Sequence, residues 1–245
     1  MALLKKYTTP FGAIRIMRDK NGNISYVQNG CYHSQANRKG ISLCAYVHVM
    51  LDVIRQKHAR NVLIIGCGGG TLATMLRQLH CKVRIIDINP LAFIIARKYF
   101  GLPPEVPCVR RDGISYLKAT RVKYDAVVID VFGTNNTVPR TFTTPDFFKK
   151  IQHVLSPEGF VIMNVIAVDD GDHRADIIAC NAAKAGIDST LFDWPGQHNR
   201  NSLIISGTTR HVHIPSGHEP CWMLPDLKGL TRRKPYRVKH YGLKP

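Results

Sequence analysis

From Val62 onward, two kinds of apolar pattern take turns along the chain. Short apolar runs at 62–66, 83–88, 107–110, 125–130 and 159–166 each precede a stretch with helical apolar spacing, at 71–79, 90–100, 113–119, 145–155 and 172–186. Strand–helix alternation of this kind predicts an α/β fold with a doubly wound, mostly parallel sheet. Two extended segments follow, 189–194 and 202–206, joined only by the loop Pro195 to Arg200. They predict an antiparallel hairpin at the sheet edge and bring the strand count to seven.

Ahead of this core the periodicity is different. Residues 9–33 alternate like short antiparallel strands, Ala13–Met17 and Ile24–Val27, around turns at Asn21-Gly22-Asn23 and Asn29-Gly30. Residues 41–57 carry Leu43, Val47, Met50, Leu51 and Ile54 at helical spacing. After Thr208, Pro215, Pro220, Pro225, Pro235 and Pro245 interrupt regular structure, which predicts an irregular arm, either wrapped on the core or disordered. The expected organisation is a small β region over 1–40, a nucleotide-binding domain over 41–207 and a basic tail over 208–245.

Composition narrows the setting. A 245-residue chain with 44% hydrophobic and 21% charged residues suits a globular protein with a sizeable core. No apolar run approaches the roughly 18 residues of a membrane span. The start Met1-Ala2-Leu3-Leu4-Lys5-Lys6 is too short for a secretory signal. Seven cysteines, scattered from Cys31 to Cys221 with no Cys-x-x-Cys, predict free thiols, a cytoplasmic location and no metal site. The net charge of +17 implies either a solvated basic surface or an anionic partner such as a nucleic acid. Tyr236 and Trp222 are too few for a base-stacking platform.

The chemistry starts at Gly66-Cys67-Gly68-Gly69-Gly70, between a strand and a helix. A glycine turn there lets a ligand approach bare backbone and the N–H groups of a helix start. Gly66, Gly68 and Gly70 follow a Gly-x-Gly-x-Gly spacing, with Thr71 where a dinucleotide fingerprint wants its last glycine. That tilts the ligand from NAD towards an adenosyl sulfonium compound. Asp87 closes the second strand 21 positions after Gly66, a distance that suits a carboxylate on the ribose hydroxyls. Asp112, before Gly113, is placed either to accept the adenine amino group or to cap the next helix. Asp130 ends the fourth strand, where a carboxylate can orient an attacking amine or hold a cofactor amino group. Asp170, Asp172 and His173 read as loop and cap residues.

With these motifs in order, the chain from about Thr9 to Val165 resembles the spermidine synthase family. Thr9-Pro10-Phe11-Gly12-Ala13-Ile14-Arg15 is similar to its N-terminal strand, and Gln28-Asn29-Gly30 stands where Leu-Asp-Gly is usual. Ile86-Asp87-Ile88-Asn89-Pro90 is similar to Val-Glu-Ile-Asp-Pro, and Arg111-Asp112-Gly113 to the adenine-contacting pair. Asp130-Val131-Phe132, Thr143–Phe148 and Leu155–Gly159 resemble the region of the catalytic acid. The resemblance implies a class I methyltransferase-like sheet and a dimer through the N-terminal strands. It also implies a donor, S-adenosylmethionine or its decarboxylated form, bound by Gly66, Gly68, Gly70, Asp87, Ile88, Asp112 and Gly113, with Asp130 catalytic.

The departures are carboxylates. Gly69 stands where the family has an acid in the glycine loop, and Gly133 where it has a second acid after the catalytic one. Tyr46-Val47-His48 keeps only the tyrosine of Tyr-His-Glu, and Ser42-Leu43 replaces an Asp-Glu pair. An unpaired ammonium in a cleft costs several kcal/mol, so these losses bear on polyamine recognition. The expectation is a transferase that moves an aminopropyl-type group to an amine. The alternatives are a methyltransferase acting on an anionic or nucleic-acid acceptor, though no Asn-Pro-Pro-Tyr motif is present, and a non-catalytic binding protein.

Overall fold

A computed structural model of the chain describes residues 1–133, 135–208, 212–214 and 224–236. Four antiparallel strands come first: β1 (Ala2–Thr9), β2 (Gly12–Arg18), β3 (Ile24–Gln28) and β4 (Cys31–Ala36). The alternation of residues 9–33 predicts only β2 and β3. In β1 a register shift between Leu3 and Lys5 breaks the period of two, and β4 is a polar strand, Cys-Tyr-His-Ser-Gln-Ala. Ile14 and Ile16 on the inner face pack on Ile95 and Phe100 of the main body.

The main body follows the predicted alternation: α1 (Ala45–Gln56), β5 (Asn61–Ile65), α2 (Thr71–Gln78), β6 (Lys82–Asp87), α3 (Pro90–Phe100), β7 (Cys108–Arg110), α4 (Gly113–Ala119), β8 (Tyr124–Ile129), α5 (Pro145–Gln152), β9 (Leu155–Ala167), α6 (Arg174–Lys184), β10 (Ser189–Asp193) and β11 (Arg200–Gly207). The order of strands is β10-β11-β9-β8-β5-β6-β7, parallel from β9 to β7. β11 runs antiparallel between β9 and β10, so the closing hairpin is folded into the sheet. Buried side chains on both faces of β5 and β8 explain their unbroken apolar runs. α5 stops three residues short of the predicted end because Leu155 already pairs with Tyr124 as the start of β9.

An eighth strand joins the seven. After a short helix α7 (Leu224–Leu227), β12 (Thr231–Arg233) pairs with β10 and caps that edge. The described part of the 208–245 stretch thus lies on the core, with Val212 and Leu230 buried in it. Cys221, Trp222, Pro215, Pro220, Arg237, Lys239 and Pro245, named from the sequence, fall outside the described residues. The six described cysteines are free thiols. No helix among the described residues is long and apolar enough to cross a membrane.

Candidate active site

The carboxyl ends of β5, β6 and β8 are tied together at the glycine loop. Gly66 N–H donates to the Ile86 carbonyl and Asp130 N–H to that of Ile65, both at 2.9 Å. Gly66 has φ 99°, and a Cβ there would stand 2.1 Å from the Asp130 carbonyl oxygen. This position needs glycine both for its dihedral and for the approach of the β8 backbone. Gly68 and Gly70 are also left-handed, and Gly70 begins α2 with its N–H on the Cys67 carbonyl at 2.7 Å.

Gly69 is crowded for a different reason. Its N–H donates to Ser34 Oγ at 2.8 Å, and a Cβ would meet Phe100 Cδ1 at 2.8 Å and Ser34 Cβ at 2.9 Å. The space that an acidic side chain would occupy is taken by the β4 serine and a buried ring. Gly69→Asp is therefore expected to lower stability by about 1–3 kcal/mol through overpacking. Chemical denaturation of the variant checks this, and an unchanged midpoint would show that the loop can yield.

Asp87 lies where the spacing placed it, but it is already engaged. Its Oδ2 accepts the Cys67 N–H and its Oδ1 the Asn89 N–H, each at 2.7 Å. A carboxylate offers about four lone-pair sites, so acceptor capacity remains beyond these two bonds and the additional pull of the Ile88 N–H. Capping of α3 falls to Asn89, whose Oδ1 accepts the Leu91 N–H at 3.1 Å. Burial raises the Asp87 carboxyl above its ordinary value, against the pull of the loop amides. Beside it Ile88 is left 52% exposed, an apolar side chain at the rim of a cleft of ≈ 640 Å³. Thr9, Pro10 and Phe11 of the β1–β2 turn form the opposite wall.

Asp112 lines the same cleft and caps α4, accepting the Ser115 N–H at 2.8 Å. Gly113 is buried; a Cβ there would come within 2.6 Å of Ile65 Cγ2. Its observed role is close packing. Asp172 accepts the Val168 and Arg174 N–H groups, and Asp170 accepts that of Gly196, as befits loop and cap residues.

Asp130 stands on the other side of the loop, on a cavity of only ≈ 20 Å³ shared with Ser34, Tyr46 and Cys67. Burial pushes its carboxyl upward, opposed by one hydrogen bond from Asn164 Nδ2 at 2.9 Å. Asn164 is fully buried, and its Oδ1 accepts from Asn201 Nδ2 at 3.0 Å. Burial, and then the Asp130 charge, raise the Tyr46 phenol well above its usual range, and Cys44 is raised in the same sense. Asn164, Asn201 and Ser34 escaped the sequence reading. The one local signal was a polar residue, Asn164, inside the apolar run of the fifth core strand. Among the described residues, no group of three or more His, Cys, Asp or Glu is arranged to hold a metal.

Comparison with known proteins gives a consistent result. Residues 44–168 match the model of the spermine/spermidine synthase domain. A polyamine aminopropyltransferase of Chromobacterium violaceum is 36% identical over 110 residues, 43% of this chain and 42% of that protein. A human eEF1A lysine and N-terminal methyltransferase is 25% identical over 156 residues, 58% of this chain and 22% of that protein. The chain thus spans less than half the length of these curated relatives. In three dimensions it is similar to a probable spermidine synthase of Corynebacterium glutamicum, with a TM-score of 0.77 at 15% identity, covering 96% of this chain and 91% of that one. At that identity the likeness speaks to the fold.

Proposed function

Because the chain belongs to the spermine/spermidine synthase family, we propose that it is a transferase that passes an aminopropyl-type group from an adenosyl sulfonium donor to an amine. The observation that carries this reading is the meeting of a bare glycine loop with Asp87 and Asp130 at the ends of adjacent strands β5, β6 and β8. Gly66, Gly68 and Gly70 hold the left-handed turn against which the donor lies, and the remaining acceptor capacity of Asp87 receives the ribose hydroxyls. Ile88 gives the adenine an apolar wall. Asp112 and Gly113 border it, with Asp112 Oδ1 engaged in its cap.

In the reaction, the lone pair of a neutral amine attacks the carbon bonded to the positive sulfur. The C–S bond breaks with its electron pair going to sulfur, and neutral methylthioadenosine leaves. The surplus N–H proton passes to Asp130. A carboxylate raised by burial is a better proton acceptor than one in water.

A second reading, S-adenosylmethionine as methyl donor, draws support from Gly69. The filled space around this residue leaves no carboxylate to repel the methionine carboxylate, and the methyltransferase relative fits the same idea. Calorimetric titration separates the two. The decarboxylated donor should bind more tightly than S-adenosylmethionine, with methylthioadenosine also binding, and Asp87→Ala should weaken the donor roughly tenfold to hundredfold. Preference for S-adenosylmethionine would favour methyl transfer. Binding of none of the three would overturn both readings.

A further inference from the structure

The rim of the sheet opposite the candidate site is cationic. Asp87 closes β6 and Asp112 and Asp130 follow β7 and β8 at their carboxyl ends, whereas Lys82 opens β6, Arg60 directly precedes β5, and Arg121 and Lys123 lead into β8. The sheet order β6-β5-β8 makes these neighbours, and hydrogen bonds join them. Lys82 N–H donates to the Arg60 carbonyl at 2.7 Å and Asn61 Nδ2 to the Lys123 carbonyl at 2.6 Å. All four cationic residues are exposed. Adjacent strands stand about 4.8 Å apart, so the row is about 10 Å long.

Few anions offset it. Asp125 sits within the row, its carboxylate held by the Arg60 and Asn61 N–H groups and the Ser156 hydroxyl at 2.9–3.0 Å. Glu105 stands 3.8 Å from Arg77. Lys123 Nζ donates to the His153 carbonyl at 2.7 Å, which ties the row to the end of α5. At the opposite end of that helix Asp146 pairs with Lys150, and Lys149 and Lys118 act on the same carboxylate. The exposed apolar side chains beside the row are Leu79 and Val122, and no aromatic residue lies among its four cations.

We propose that this rim binds the phosphodiester backbone of a nucleic acid without reading its sequence. Closely spaced exposed cations on a chain of net charge +17 suit phosphate contacts that release counterions. With no ring for a base to stack on, the contact is to the backbone. Lipid surfaces draw on buried apolar area as well as charge, and two isolated side chains supply little of it. The nucleic acid would lie away from the candidate site and tether the protein rather than serve as its substrate.

The test uses the full chain and a labelled DNA duplex of mixed sequence, with fluorescence anisotropy read across a salt series. Binding should weaken steeply with salt and be indifferent to sequence. The triple variant Lys82→Glu, Arg121→Glu, Lys123→Glu should lose about tenfold or more in affinity. Its salt slope should fall by about 3, roughly one for each phosphate contact removed. The milder pair Lys82→Gln, Arg121→Gln should lose less in the same direction, with thermal melting showing that both variants fold. Equal loss on reversing Lys5, Lys6 and Arg15 of the N-terminal sheet would overturn the assignment. So would tighter binding to phosphatidylserine vesicles than to the duplex, or no binding to the duplex.

Discussion

Replacing Asp130 by Asn is expected to reduce methylthioadenosine release by about 10²–10⁴-fold, while leaving donor binding and folding in place. The asparagine keeps an oxygen to accept from Asn164 Nδ2 and loses only the charge and the basicity. Because burial raises the Asp130 carboxyl, its protonated form is the one the fold favours. Its contribution to stability is therefore fully present below the ordinary carboxylate range and is lost as pH rises through the raised value. Wherever it is ionised the buried group opposes folding, so Asp130→Asn should melt no lower than the parent. Activity runs the other way. The acid limb of kcat/KM should fall as pH drops through the same raised value, and the asparagine variant should lose that limb. Tyr46 and Cys44 are poor substitutes as bases, since burial and the Asp130 charge hold both in their neutral forms. An asparagine variant with turnover within tenfold of the parent would place the proton acceptor elsewhere.

The legible part of this molecule was the part with a single dominant constraint. A strand buried on both faces has to be apolar throughout, so Val62–Ile65 and Ala126–Ile129 announced themselves, and with them Gly66 and Asp130 at their ends. The glycines were legible where φ or a close approach allowed nothing else. Harder were contacts set by register between distant segments. Asn164 meets Asn201 because β9 and β11 run antiparallel, and Ser34 reaches Gly69 across 35 positions from the β4 strand. Nothing local in either sequence encodes the partner. The strand β12 was hidden for a similar reason. Thr231-Arg232-Arg233 reads as a basic run between prolines, and only pairing with β10 makes it a strand.

That strand carries the larger structural prediction. Asp176 is completely buried, and Arg233 reaches it from β12 with Nη1 on Oδ1 at 2.6 Å and Nη2 on Oδ2 at 3.0 Å. The Tyr236 N–H adds a third bond to Oδ1 at 2.7 Å, and the Arg233 guanidinium lies 4.4 Å from the centre of the Tyr236 ring. Arg233→Ala would leave that buried carboxylate without its cation, a change that typically costs about 3–5 kcal/mol. In a chain of this size it should lower the melting temperature by on the order of 10 °C. Asp193, which Arg233 approaches at 3.7 Å, keeps its own partner, with Arg200 Nε on Oδ1 at 2.7 Å. The loss should therefore trace to Asp176. The double variant Asp176→Leu, Arg233→Met tests this, because an apolar pair of similar size removes the charge and the desolvation cost together. It should recover most of the loss. If it melts as low as Arg233→Ala, the ion pair is not what holds β12 against the sheet. In that case the strand pairing itself, which covers the edge beside the buried Leu191 and Phe192, carries the stability.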